Sequence, residues 1–212
     1  MIKAVVFDID GTLTPNISWT VFTNKLGASV DKHLRIYQDF KEDKLTYEKS
    51  KEHLLKLWKE TGNAHRSYIE NLFEKWTIRK EAKNVIKYLK SKGYVICLIT
   101  GSIDLYAKII AKRLEIKYFY SNTMLVWDRN SNLIDFHYHR DQGKKKLEQF
   151  LDFCQKLKLD PQNCLTVGDD DNDIQLFKYT GKGIAVKSET SYKLEKYAWK
   201  KIDNLLEIKD II

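Results

Sequence analysis

The chain is poor in proline, glycine and cysteine. Two prolines and nine glycines in 212 residues exclude a collagen-like repeat and flexible low-complexity linkers. The three cysteines, Cys97, Cys154 and Cys164, form no C-x-x-C pair, so neither a zinc ribbon nor a dithiol motif is available. They read as small core hydrophobes, and a reducing, cytoplasmic setting is expected. Long apolar runs are also missing. The longest, Ala4-Val5-Val6-Phe7 and the stretch from Val95 to Ile99, fall far short of the roughly 20 residues that span a bilayer. Asp8 and Asp10 follow the first run at once, which the apolar core of a secretory signal does not tolerate. No membrane partner is expected.

What is present is a globular composition, with 43% hydrophobic and 12% aromatic residues. The length suits one domain, or one domain with a modest insertion. Lysine and arginine number 37 against 29 acids, a net charge of +8. The lysines alternate with glutamates along helical stretches, the pattern of a solvated surface, which would also suit a heat-adapted protein. Lys144-Lys145-Lys146 is the one compact basic run, and a nucleic-acid partner is not the expectation.

Residues 2–7 are β-branched and apolar and stop at Asp8, as a buried strand of a parallel sheet does. Residues 94–99, 164–167 and 183–186 repeat the pattern, the first ending at Thr100-Gly101 and the second at Gly168-Asp169. Helical periodicity over 79–92 and 104–114 separates them, so an α/β domain with a parallel sheet is predicted. Residues 122–139 alternate apolar and polar around Asp128-Arg129-Asn130-Ser131-Asn132, which predicts a β-hairpin with a longer turn. His137 and His139 share a face there, but no third ligand accompanies them, so a structural or surface role is expected. Between Pro15 and Ile78, apolar residues from Leu26 to Trp76 recur at three- and four-residue spacings. That segment is too long for a connecting loop and reads as a small helical domain inserted after the first strand.

Reactive groups concentrate where strands end, and ligands of open α/β sheets bind outside those ends. Asp8, Thr100 and Asp169 are therefore expected to converge. In Asp8-Ile9-Asp10-Gly11-Thr12, two carboxylates two residues apart repel unless a cation or proton lies between them. The pair supports a carboxylate nucleophile with a second acid to move the leaving group's proton. Thr100-Gly101-Ser102, read as the start of a helix, offers a hydroxyl and backbone N–H groups to an anion. Gly168-Asp169-Asp170-Asp171-Asn172-Asp173 crowds four acids into five positions, an arrangement that calls for a cation. The glycine and terminal glutamate of a calcium EF-hand loop are absent.

Taken in order, Asp8-x-Asp10-Gly-Thr, Thr100-Gly101, a lysine and Gly168-Asp169-x-x-Asn172-Asp173 resemble the haloacid dehalogenase-like (HAD) hydrolase superfamily. Within it, the helical insertion after the first motif is similar to the phosphoserine phosphatase branch. The resemblance implies a Rossmann-like parallel sheet flanked by helices, with an α/β core at 1–14 and 79–212, an all-helical cap at 15–78 and a β-hairpin. It implies a Mg²⁺-dependent phosphatase acting on a small phosphorylated metabolite through an aspartyl-phosphate. Asp8 would be the nucleophile, and Asp10 the acid and base. Asp8, the Asp10 carbonyl and Asp169 would hold Mg²⁺. Thr100 and Gly101 would bind the phosphoryl oxygens, with Asn172 near them and Asp173 supporting the metal. The family lysine falls among Lys144, Lys145 and Lys146, and ungapped spacing back from Gly168-Asp169 selects Lys146.

The phosphoserine branch reads its substrate with a glutamate after the first motif and an arginine in the cap. Here Pro15-Asn16-Ile17-Ser18-Trp19 holds no acid, and Leu54 stands where the arginine is expected, with Lys51 and His53 nearby. Ile17 and Trp19 would make a more apolar pocket mouth. The alternatives are a phosphoserine phosphatase with an altered cap reader, and a nucleic-acid-end phosphatase.

Overall fold

The computed structural model describes residues 1–188 and 191–212. Strand β1 (Ala4–Phe7) is followed by four helices, α1 (Ser18–Leu26), α2 (Val30–Lys41), α3 (Tyr47–Lys59) and α4 (Arg66–Glu74). Then come α5 (Lys80–Ser91), β2 (Val95–Ile103), α6 (Asp104–Arg113), β3 (Tyr118–Trp127) and β4 (Leu133–Tyr138). The chain ends with α7 (Gln142–Leu157), β5 (Cys164–Gly168), α8 (Ile174–Thr180), β6 (Gly183–Val186), β7 (Lys200–Ile202) and α9 (Ile208–Ile211). No helix among the described residues is long and apolar enough to cross a membrane.

Among the described residues, seven strands form one sheet in the order β4-β3-β2-β1-β5-β6-β7, parallel except for the antiparallel β3–β4 pair. β1 is central because its side chains are apolar on both faces. Val5 and Phe7 pack with Ala82, Val85, Leu89 and Ile110 from α5 and α6. Ala4 and Val6 pack with Phe150, Phe153 and Phe177 from α7 and α8. From β1 the chain winds outward to β2 and β3, then returns to place β5 on the other side of β1. That reversal of strand order makes a crevice at the carboxyl ends of β1 and β5. Phe7 is level with Leu98 of β2 and Val167 of β5, so Asp8, Thr100 and Asp169 emerge at one edge.

The four strands and two helices read from periodicity are present, and so is the hairpin. Asp128 Oδ1 holds the hairpin turn by accepting the N–H groups of Asn130 and Asn132. Three features differ from the sequence reading. β2 continues through Thr100-Gly101-Ser102, and α6 starts only at Asp104, because β3 runs alongside and keeps the strand paired as far as Ile103, across a register shift. β3 begins at Tyr118 and pairs with β2 before it turns into the hairpin. β7, with the sequence Lys-Lys-Ile, is a short edge strand that no apolar run announced.

The helical segment has its own aromatic centre. Trp58 is 0% exposed; it stacks on Trp19 and meets Phe22 edge-on and Phe136 of β4 at a tilt. Its indole N–H donates to Thr23 Oγ1 at 2.9 Å, and Thr23 in turn lies 2.6 Å from His33 Nδ1. The two share a hydrogen bond, and His33 is buried and neutral, its pKa lowered to about 4 by burial. The two stems of the segment are joined where Arg79 N–H donates to Leu13 O and the Arg79 guanidinium donates to Gly11 O at 3.0 Å. Trp58→Ala should lower stability by about 3–5 kcal/mol, the usual cost of removing a large buried aromatic, measured by urea unfolding. A loss under about 1 kcal/mol, the size of a surface change, would show that this centre does not hold the segment.

Candidate active site

Each reactive residue is delivered by a backbone feature. Asp8 follows the last residue of β1, and its N–H donates to Val167 O at 2.9 Å, tying it to β5. Gly11 then turns the chain with φ +70°, and a Cβ there would stand 2.0 Å from Asp169 Oδ2. A side chain at position 11 would thus fill the place where the two loops meet. Thr12 closes the contact by donating to Asp169 Oδ1 at 2.9 Å. The Ser188 hydroxyl donates to Asp169 O at 3.2 Å. Gly168 plays a similar part for Asp173, whose Oδ2 lies 2.1 Å from the position of a Cβ on residue 168.

Asp8, Asp169 and Asp173 each offer a carboxylate oxygen within 4.8 Å of the others, and all three are buried. Lys146, 0% exposed, lies between two of them, with Nζ 2.7 Å from Asp173 Oδ1 and 3.2 Å from Asp8 Oδ1. It reaches them from the start of the second turn of α7. Lys144 is exposed at the same helix start and Lys145 pairs with Glu148, so the three adjacent lysines have different surroundings.

Three carboxylates against one ammonium leave two negative charges uncompensated when all are ionised. Burial first, and then the neighbouring Asp8 charge, push the Asp169 carboxyl up to about 8 and weaken its acidity. Burial pushes Asp173 up to about 7, against the opposing pull of Lys146. Burial alone would lower Lys146, but the charges of Asp173 and Asp8 outweigh it and hold the ammonium well above its ordinary range. The site therefore binds protons where it lacks cations. Asp173 Oδ2 is buried without a hydrogen-bond partner. An all-oxygen set with a charge deficit of two fits a hard divalent cation such as Mg²⁺.

Asp10 stands apart from this group. Its Oδ2 accepts the Ser18 N–H at 3.0 Å and the Ser18 hydroxyl at 2.5 Å. Burial and the nearby Asp8 push its carboxyl up to about 7, with Ser18 opposing. Thr100 and Gly101 sit at the end of β2, where Thr100 Oγ1 accepts the Ser102 N–H at 3.2 Å. Asn172 is brought to Gly101, its Nδ2 3.9 Å from where a Cβ on Gly101 would stand, and it donates to Asp170 Oδ2. Asp8, Asp169, Asp173 and Lys146 thus form one cluster, with Asp10 in the adjoining loop and Thr100, Gly101 and Asn172 along the neighbouring strand end. His137 and His139 are exposed and belong to no ligand group among the described residues.

Sequence reasoning gave no role to Ser18 or Arg79 and took Ser102 only as part of an anion-binding turn. Serines at a helix start or a strand end carry no signal of their own, and Arg79 gains meaning only when both stems of the insertion are seen together. At the expected substrate-reading positions, Ile17 is 51% exposed. Trp19 packs among His33, Trp58, Phe136 and Tyr138. Leu54 is part of the apolar core, Lys51 is paired with Asp135 at 3.0 Å and His53 is exposed.

A family model of haloacid dehalogenase-like hydrolases matches residues 2–181. A phosphoserine phosphatase of Methanocaldococcus jannaschii is 26% identical over 184 residues, covering 86% of this chain and 84% of the relative. A Clostridium perfringens chain that carries the name pyrophosphatase is 29% identical over 230 aligned residues, covering 100% and 98%. Among solved structures, a substrate-bound phosphoserine phosphatase complex superposes with a TM-score of 0.77 at 24% identity, over 100% of this chain and 99% of the other.

The raised carboxyl pKa values carry a consequence for stability. The folded chain holds protons on Asp169 and Asp173 up to about pH 8 and 7, whereas the unfolded chain releases them near 3.8. Folding thus takes up protons in that window, and the stability of the metal-free protein falls as pH rises through it. His33 acts in the opposite sense between about 4 and 6.5, so the useful readout is the difference made by metal. Mg²⁺ should raise the melting temperature more at pH 8 than at pH 5, because at pH 5 protons already occupy the carboxylates. An increment equal at both pH values, measured by differential scanning fluorimetry against EDTA, would contradict this account.

Proposed function

This chain is a member of the haloacid dehalogenase-like hydrolase family, and on that premise we propose that it hydrolyses a small phosphomonoester, with Asp8 as nucleophile. One observation carries the reading: Asp8, buried at the switch point of the sheet, shares a pocket with Lys146, Asp169 and Asp173. Phosphoryl transfer needs an aligned attacking group and neutralisation of charge on the phosphoryl oxygens, and this group of residues supplies both.

In the proposed reaction, a carboxylate oxygen of Asp8 attacks phosphorus and the ester oxygen departs with the bond electrons. Asp10 gives that oxygen its proton, so an alcohol leaves rather than an alkoxide. The resulting aspartyl-phosphate is then attacked by water, whose proton returns to Asp10, and phosphate is released with Asp8 regenerated. Lys146 offsets the repulsion between the Asp8 carboxylate and the incoming phosphate. The Thr100 hydroxyl and the Gly101 N–H receive the phosphoryl oxygens, with Asn172 beside them. Asp8, Asp169 and the Asp10 carbonyl would hold Mg²⁺, with Asp173 behind them. When bound, Mg²⁺ supplies two positive charges that lower the cost of bringing an anion onto a carboxylate. We assign residues 15–78 as a cap that excludes water and reads the leaving group, over a core formed by 1–14 and 79–212.

The catalytic residues follow the family's pattern while the substrate-reading positions do not. Ile17 offers no carboxylate, Leu54 is spent on the apolar core, and Lys51 is neutralised by Asp135. A small phosphorylated metabolite other than phosphoserine is therefore the favoured substrate. The likeness to the M. jannaschii phosphoserine phosphatase supports the second reading, in which other cap residues recognise phosphoserine. Phosphate release across a panel of phosphorylated metabolites separates the two, and phosphoserine as the best substrate by kcat/KM would decide for the second.

Asp8→Asn should reduce phosphate release to background while the protein melts at or above the wild-type temperature in EDTA, since the change removes one buried negative charge. Retention of most activity would reject Asp8 as the nucleophile. EDTA should likewise silence the wild type and Mg²⁺ restore it; turnover that persists in metal-free buffer would reject the role given to the acidic cluster.

A further inference from the structure

A carboxylic acid that protonates a leaving group must present one defined oxygen, and the two oxygens of Asp10 are treated very differently. Oδ2 accepts both the N–H and the hydroxyl of Ser18, at 3.0 and 2.5 Å. Oδ1 is buried and meets no partner at hydrogen-bond distance; the Tyr106 hydroxyl, 3.0 Å from Thr14 Oγ1, is the other donor that faces the Asp10 carboxyl. Ser18 Oγ is also hydrogen-bonded to Ser102 Oγ. A hydroxyl has a single proton to give, so Ser18 donates to Asp10 and receives the proton of Ser102. The direction of the chain is thereby set, from Ser102 through Ser18 to Oδ2.

The elements supporting this chain have further reasons to keep it. Ser18 is the first residue of α1, and Ile17 before it provides no side-chain cap. The orphan N–H at this helix start is satisfied by the Asp10 carboxyl oxygen instead. Ser102 lies in the irregular stretch of β2 between Thr100 and Ile103, two residues past the proposed phosphate-binding threonine. Both serines are buried, at 0% and 2% exposure. One belongs to the helical segment and the other to the sheet, so the chain of hydroxyls is complete only while the two are together.

We propose that Ser18 and Ser102 are positioning residues that occupy Oδ2 of Asp10 and so reserve Oδ1 as the oxygen that hands its proton to the leaving group. This rests on the phosphatase reading given above. Ser18 and Ser102 touch neither phosphate nor metal in this scheme, and their effect passes through Asp10 alone. The need for them therefore depends on how much the leaving oxygen needs a proton. An alkoxide needs one in the transition state, whereas p-nitrophenolate is a stable anion and leaves without it.

The test compares kcat/KM, in saturating Mg²⁺, for p-nitrophenyl phosphate and for the best alkyl monoester from the metabolite panel. This parameter reports the first phosphoryl transfer, before Asp10 is needed again to activate water. In Ser18→Ala and in Ser102→Ala, the alkyl-to-aryl ratio should fall at least about tenfold, part of the 10²–10⁴ that a general acid contributes. Ser18→Thr, which keeps the hydroxyl and the N–H, should return the ratio to within about threefold of wild type, well inside that range. Ser102→Ala leaves the capping of α1 by Asp10 untouched, so it tests the relay even if Ser18→Ala does not fold. Equal losses on both esters, or an unchanged ratio, in an active wild-type background would overturn the positioning role alone. A wild type that releases phosphate from no ester would overturn the phosphatase reading and this inference with it.

Discussion

The arrangement of the centre depends on one buried lysine among three buried carboxylates. Lys146 lies within 3.2 Å of Asp8 and Asp173, and burial, followed by the remaining charge deficit, explains why the carboxyls of Asp169 and Asp173 cling to protons. Desolvating such a group costs several kcal/mol per ion unless partners offset it. The partners are Lys146 and the hydroxyl of Thr12, and a divalent cation would supply the positive charge that is still lacking. Stability and the proposed chemistry are therefore coupled here, because the negative charge that a cation must balance is the same charge that would repel an anionic phosphoester from Asp8.

The second constraint is mechanical. The helical segment leaves the core just after the Asp8–Thr14 loop and returns at Arg79, and it is bound at both stems. Arg79 donates to Gly11 O, and Ser18 donates twice to Asp10. The proposed acid thus belongs by sequence to the core loop and by hydrogen bonding to the first helix of the insertion. The aromatic centre around Trp58 extends this attachment, since Phe136 of the hairpin packs against it. The insertion consequently meets the site at the proposed acid and the rest of the core at the hairpin, while Asp8 and Lys146 stay within the sheet and α7.

Much of the centre was legible from residue order. Runs of Val, Ile and Leu that stop at Asp8, Thr100 and Gly168 announced parallel strands with reactive ends, and parallel strands bring such ends together. Ungapped spacing against the family's pattern pointed to Lys146 among three adjacent lysines, and Lys146 is the one that is fully buried beside Asp8 and Asp173. The rest was hidden for identifiable reasons. β7 is held by pairing with β6 rather than by its own apolar content. Thr100-Gly101-Ser102 read as a helix start because glycine and hydroxyl residues favour one, yet β3 kept the segment extended. Leu54, aligned with a substrate-reading position, became core because its helix face met the apolar cluster.

By itself, the order of residues determined which side chains could carry the chemistry and at which strand ends they would stand. Local rules suffice for that, since strand length, glycine turns and helical spacing act over a few residues. Tertiary structure alone decided their state and partners: that Asp10 turns to Ser18 while Asp8 turns to Lys146, that Ser102 completes a hydroxyl chain, and that the carboxyls of Asp10, Asp169 and Asp173 become weak acids. Such properties depend on burial and on contacts between residues 8 and 146, 18 and 102, or 12 and 169. Electrostatics and hydrogen bonding act through space, and no spacing along the chain encodes them.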